Sequence, residues 1–184
     1  IVALGTVMLP RMSYLAANGE EQKSREMIQK SMLFVLFMGS ALTFGISAVA
    51  PKFVPWFFGD NFFDCIILII AMSPKILFVS WANVIRTQYL LPHGRDYNYI
   101  VSVITGALVN LIFNVILIPK FGALGAVIST VVAEAAVAIV QTFAVRKELD
   151  FLNYLKSGVP FIVSGGAMFL VILPLSRLDI STTI

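Results

Sequence analysis

The sequence predicts an all-α fold: a polytopic bundle of transmembrane helices with six spans, the first of them truncated. Three observations predict it. Of 184 residues, 59% are hydrophobic and 12% are charged, about half the charged share of an ordinary soluble domain, so polar surface is too scarce to coat a globule in water. The apolar residues fall in blocks of about 20, the length that crosses a hydrocarbon layer. Strand-length alternation of polar and apolar residues is absent, which leaves helices, whose backbone hydrogen bonds close internally, as the way through lipid. A soluble enzyme, a nucleic-acid-binding domain and a disordered segment are excluded on the same grounds.

The elements follow in chain order. Residues 1–17 form the end of a truncated span, bent where Pro10 removes a backbone donor. Gly19 to Lys30 (GEEQKSREMIQK) is the most polar stretch and reads as a separate helical linker along the membrane surface, either a lateral coupling helix or a solvated connector. The second span covers residues 31–50, and the aromatic run from Phe53 to Phe58 after it suits the headgroup level of an outer interface. The third covers 63–91 with Pro74 inside it, the fourth 97–118, the fifth 123–145 and the sixth 158–175. Pro10, Pro74, Pro160, Gly165, Gly166 and Pro174 interrupt several of these, as in transporters whose helices bend, although any one can be a packing kink.

Charge counting gives the orientation. The connections after spans one, three and five hold Lys23, Arg25, Lys30, Arg95, Arg146, Lys147 and Lys156, whereas those after spans two, four and six hold Lys52, Lys120 and Arg177. Seven cations against three place the first set in the cytoplasm. The net charge of +3 is thereby read as a topology signal rather than as a nucleic-acid footprint. A single cysteine, Cys65, and a single histidine, His93, leave no internal disulfide and no metal cluster, and no cofactor is expected. The chain opens inside an apolar run with no initiator Met, signal peptide or cleavage site, so the expectation is an internal fragment of a longer, transporter-like protein.

A charge at the bilayer centre costs on the order of 2.5 to 3.5 kcal/mol and needs a partner, a hydrated cavity or an escape to the interface. Glu134 sits near the middle of span five, with Thr130, Ala138 and Gln141 on its side and Ile128, Val132, Ala136, Ile139 and Phe143 on the other. It is either an ion-coupling carboxylate or a fixed partner for a cation on a neighbouring helix. Lys75 and Arg86 are 11 residues apart, about 20° from alignment on one helix face, with Asn83 beside Arg86. Together they make a cationic stripe suited to a phosphate or pyrophosphate. The alternatives are snorkelling for Arg86 and a carboxylate partner for Lys75. Ser102, Gly106, Asn110 and Asn114 recur every four residues on span four, where the two amides bind sugar hydroxyls or join helices. The small ridge Gly125, Ser129 and Ala133 on span five is assigned to close helix approach.

Several motifs together resemble one family. They are Val7-Met8-Leu9-Pro10-Arg11-Met12-Ser13, Pro55-Trp56-Phe57-Phe58-Gly59, Ser73-Pro74, Gln88-Tyr89-Leu90-Leu91-Pro92, Asn110 to Asn114 running into Leu117-Ile118-Pro119, and Gly122-Ala123-Leu124-Gly125-Ala126 followed by Ala133-Glu134. In order and spacing, over about residues 5–150, the chain resembles the C-terminal half of bacterial polysaccharide repeat-unit flippases. These serve O-antigen, capsule and exopolysaccharide synthesis within the multidrug/oligosaccharidyl-lipid/polysaccharide exporter superfamily. The resemblance implies part of one lobe of a two-lobed transporter in the bacterial cytoplasmic membrane, and a central cationic cavity that works by alternating access. It implies as partners an undecaprenyl-pyrophosphate-linked oligosaccharide, membrane lipids, a missing N-terminal lobe and a polysaccharide polymerase. It carries over pattern matches at Arg11, Arg86 and Glu134, and no catalytic set.

The expected function is therefore flipping of lipid-linked repeat units, without covalent chemistry. A cation-coupled multidrug antiporter of the same fold predicts a cavity dominated by carboxylates and aromatics. A membrane-embedded polysaccharide polymerase needs larger outer loops with reactive groups, and a structural assembly module needs none of the buried charges.

Overall fold

The structure is a computed structural model that describes residues 2–175; Ile1 of the first expected span and the cation Arg177 lie outside the described residues. Among the described residues seven α-helices follow one another: α1 (Val2–Ala17), α2 (Glu21–Phe58), α3 (Asp64–Met72), α4 (Lys75–Ile85), α5 (Asp96–Phe121), α6 (Ala123–Ala144) and α7 (Phe151–Leu175). A 3-10 turn at Asp60–Phe62 precedes α3, and a π-helical turn at Arg86–Leu90 prolongs α4. Among the described residues there is no strand. Five segments are long and apolar enough to cross a membrane: α2, the α3 to π-turn unit Asp64–Leu90, α5, α6 and α7 over Phe151–Ile172. With 16 residues, α1 is shorter.

The polar stretch from Gly19 to Lys30 departs from its expected form. After a turn at Gly19 and Glu20 it is not a separate surface helix but the first turns of α2, whose 38 residues span about 57 Å without a break. The reason is a stripe. Ser24, Ile28, Ser31, Met32, Val35 and Leu36 recur at helical spacing and are all buried, so the face that packs inward continues through the polar segment while Glu21, Lys23 and Arg25 stay outside. At the other end α2 runs on through Pro51 and Pro55 to Phe58, and Phe53, Trp56, Phe57 and Phe58 form an exposed aromatic cluster on its last turns.

The expected third span is divided at Ser73-Pro74. Proline has no N–H to give the Ile70 carbonyl, and Ser73 Oγ donates to that oxygen instead at 3.0 Å. Thr43 Oγ1 on α2 donates to the Ser73 carbonyl at 3.1 Å, and Ser47 Oγ lies 2.7 Å from Ser73 Oγ. Buried hydroxyls thus complete the hydrogen bonding of the break and tie it to α2. By contrast, α1 and α7 run unbroken past Pro10, Pro160, Gly165 and Gly166, so these residues do not divide their helices.

The antiparallel pair α5 and α6 turns at Gly122, whose φ of 55° and ψ of −129° suit a residue without Cβ. Lys120 and Phe121, expected in the loop, belong to α5. The pair is close because Gly125 rests on the Leu117 carbonyl and Gly106 on Val137 and the Ala133 carbonyl, and Gln141 Nε2 donates to Ser102 Oγ at 3.0 Å.

The apolar core sits at one end of the bundle. Met12 of α1, Ile28 and Met32 of α2, Ile85 of α4, Leu90 of the π turn and Val145 after α6 are fully buried there. Toward the other end α3 buries none of its side chains, and α5 buries Ser102 and Gly106 while exposing Leu111 and Val115. Such apolar exposure is what a helix facing lipid or another lobe presents.

Candidate functional site

Three helices leave a gap. Val79, Ala82, Asn83 and Arg86 from the α4 unit, Tyr99, Val103, Gly106, Ala107 and Asn110 from α5, and Thr130, Glu134, Val137 and Gln141 from α6 line an open cavity of about 510 Å³. It exists because the facing positions are small. Gly106 lets α5 approach α6, Ala82, Ala107 and Ala133 add little bulk, and the gap stays open on the exposed side of Val103.

The cavity has two polar ends and an apolar waist. At one end Arg86 begins the π turn, where the guanidinium lies 5.5 Å from the Tyr99 ring centroid and Nη1 donates to Tyr99 Oη at 3.4 Å. Arg86 Nε and Gln141 Oε1 are buried there without hydrogen-bond partners among the described residues, and a buried unpaired donor or acceptor is costly. At the other end stand Asn110, Thr130 and Glu134. Glu134 and Gln141 are seven residues apart on α6, which separates the ends by about 10 Å.

Lys75 Nζ lies 3.4 Å from Glu134 Oε1, and each side chain is about one-third exposed. Lys75 itself lines a neighbouring apolar cavity with Leu42, Ile46, Ile69, Met72 and Ile76, so it reaches the first cavity only through its partner. Of the expected stripe, then, one cation is matched by a carboxylate and the other, Arg86, has no carboxylate within 4 Å among the described residues.

The structure brings Asn83, Arg86, Asn110 and Glu134 together around one space. Asn114 stands behind it, donating from Nδ2 to Asn110 Oδ1 at 2.9 Å and so orienting that amide. Arg11 is exposed on α1 and is not part of this cavity. Two contributors escaped the sequence reading of the site. Gln141 was visible on the Glu134 face but not as a cavity group, and Tyr99 reaches Arg86 only through the turn that folds α5 back on the α4 unit.

A family model described as lipid II flippase MurJ matches residues 1–175. The chain belongs to the MurJ family. That family is one of flippases, which are transporters rather than enzymes. Curated relatives include an uncharacterized membrane protein of Methanocaldococcus jannaschii, 29% identical over 82% of this chain and 30% of that protein. Another is the uncharacterized membrane protein YabM of Bacillus subtilis, 26% identical over 96% of this chain and 33% of that protein. The chain spans about a third of the length of these two relatives. No solved structure matches it significantly. Membership of the MurJ family and the five apolar helices make this a multi-pass membrane protein.

Proposed function

We propose that the cavity between α4, α5 and α6 is the part that this chain contributes to the path of a flippase. The cargo is a glycan carried on undecaprenyl pyrophosphate, which moves from the inner to the outer leaflet of a bacterial cytoplasmic membrane by alternating access. Within that class we assign a repeat unit of a cell-surface polysaccharide, such as O-antigen or capsule, with a polysaccharide polymerase as the next protein to act on it. Lipid II, named in the family's description, is the other lipid-linked glycan to test.

The observation that carries the reading is Arg86, a guanidinium held by Tyr99 and with no carboxylate within 4 Å among the described residues, in a cavity that also presents the amides of Asn83, Asn110 and Gln141. A forked cation matches phosphate oxygens and amides match sugar hydroxyls, and the open side of the cavity leaves room for a second lobe to close over it. We assign that covering surface to an N-terminal lobe of the full-length protein. The pairing of Glu134 with Lys75 favours a role in holding helices, and an ion-coupling role requires that pair to open during the cycle.

The test is deletion of the full-length gene followed by analysis of lipid-linked glycans in the inner leaflet. Accumulation of repeat units, relieved by the wild-type gene and not by Arg86→Ala, supports the assignment. Accumulation of lipid II alone supports flipping but overturns the polysaccharide substrate. Full rescue by both Arg86→Ala and Glu134→Ala overturns the site.

A further inference from the structure

A second cavity, of about 610 Å³, lies at the end of the bundle where α6 stops and α7 begins. Its making is local. Val145, Leu149 and Phe151 are buried and pin the connection to the core, which forces Arg146 and Lys147 between them outward. Arg25 enters the same cavity from α2, so three cations from two elements that are far apart in sequence converge on one space.

Two acids, Glu148 and Asp150, line the same cavity, and Glu148 and Glu21 are each paired with an arginine. Glu148 Oε1 accepts from Arg95 Nη2 at 2.9 Å, Asp150 Oδ1 accepts from the Asn153 backbone N–H at 3.3 Å, and Glu21 holds Arg25 only at 3.5 Å with both side chains exposed. Arg146 and Lys147 have no carboxylate within 4 Å among the described residues. Directly beside them the surface is apolar: the Arg146 guanidinium lies 5.3 Å from the centroid of the exposed Phe143 ring, and Leu152 is exposed on the first turn of α7. Glu148 lines the same cavity, and its Oε2, buried beneath the surface, has no hydrogen-bond partner among the described residues.

We propose that this cavity binds the headgroup of an acidic phospholipid of the inner leaflet whose phosphate bears a hydroxylated group such as glycerol. The phosphate meets Arg146, Lys147 and Arg25, a headgroup hydroxyl donates to Glu148 Oε2 once that partly exposed side chain turns toward the cavity, and the first methylenes of the acyl chains lie on Phe143 and Leu152. Basic pockets between helix ends at the cytoplasmic surface recognise lipid headgroups in this way.

The test is lipid binding by the purified full-length protein, followed by native mass spectrometry with phosphatidylglycerol, phosphatidylcholine and soluble glycerol phosphate. Phosphatidylglycerol is expected to bind more tightly than the other two. Arg146→Ala with Lys147→Ala is expected to weaken it about 30-fold, roughly fivefold per cation. Arg146→Lys with Lys147→Arg, which keeps the charges, is expected to retain most binding, and Lys120→Ala, at the other end of α6's partner helix, all of it. Equal binding of phosphatidylcholine, equal binding of glycerol phosphate without tails, an unchanged double alanine variant, or an equal loss in Lys120→Ala would each overturn the proposal.

Discussion

The carboxylate of Glu134 on α6 and the ammonium of Lys75 on α4 lie 3.4 Å apart, joining two helices at the rim of the α4–α5–α6 cavity. Lys75 immediately follows the break at Ser73-Pro74, so the pair ties the first residue of α4 to α6. In a membrane each charge is tolerable chiefly because the other is there.

That reading predicts strong non-additivity. Lys75→Ala and Glu134→Ala should each lower the melting temperature of the full-length protein in detergent, and the double variant should lose less than the sum. The coupling energy is expected to be on the order of 1 kcal/mol, since both side chains are about one-third exposed and solvent screens them. Exchanging the charges, Lys75→Glu with Glu134→Lys, should recover most of the loss. Additive effects in thermal melts would place the two residues out of contact.

Helix approach gives a second prediction, with its own controls. A methyl group on Gly125 would collide with the Leu117 carbonyl, which is backbone and cannot move aside, so Gly125→Ala should destabilise by about 1 to 3 kcal/mol. At Gly158 the obstacle is the flexible Leu36 side chain, and the cost should be smaller. Around Gly45 there is open space, so Gly45→Ala on α2 should be neutral or stabilising by up to about 1 kcal/mol. Chemical or thermal denaturation of the three variants ranks them.

Arg86 should discriminate charge from shape. Arg86→Lys keeps the cation but loses the fork and much of the contact with the Tyr99 ring, and Arg86→Ala loses all three. In proteoliposomes of the full-length protein, Arg86→Ala should weaken the apparent affinity for a pyrophosphate-linked substrate by about 10- to 100-fold, the value of one to two charge-assisted hydrogen bonds. Arg86→Lys should fall between that variant and wild type. Equal behaviour of the alanine and lysine variants would separate the fork from the charge as the feature that matters.

What was legible in the sequence was what is decided locally. Long apolar runs and the lack of strand alternation gave the helices, and a single acid and two cations at mid-span marked the groups that need company. The continuity of α2 was hidden because polar residues end an apolar count, although the spacing of Ser24, Ile28, Ser31 and Met32 carries the buried stripe straight through them. Prolines misled in one direction: Pro10, Pro51, Pro55 and Pro160 sit inside intact helices, while Pro74, expected to interrupt its span, does divide it. The π turn at Arg86–Leu90 and the contact of Arg86 with Tyr99 depend on α1 and α5 packing against the end of α4, and no periodicity in the chain encodes them. The choice of Lys75 rather than Arg86 as partner of Glu134 is likewise tertiary, set by how α4 lies against α6.

The central claim is that the space between α4, α5 and α6 is a hydrated path and that the far side of α6 faces lipid. Cysteine accessibility in the full-length protein, with its native cysteines replaced, measures this directly in intact membranes. Asn110→Cys and Thr130→Cys, in the cavity wall, should react with a charged, water-soluble thiol reagent, while Ile139→Cys, exposed on the other side of α6, should not. Reaction at Ile139→Cys, with Asn110→Cys and Thr130→Cys silent, would contradict the account.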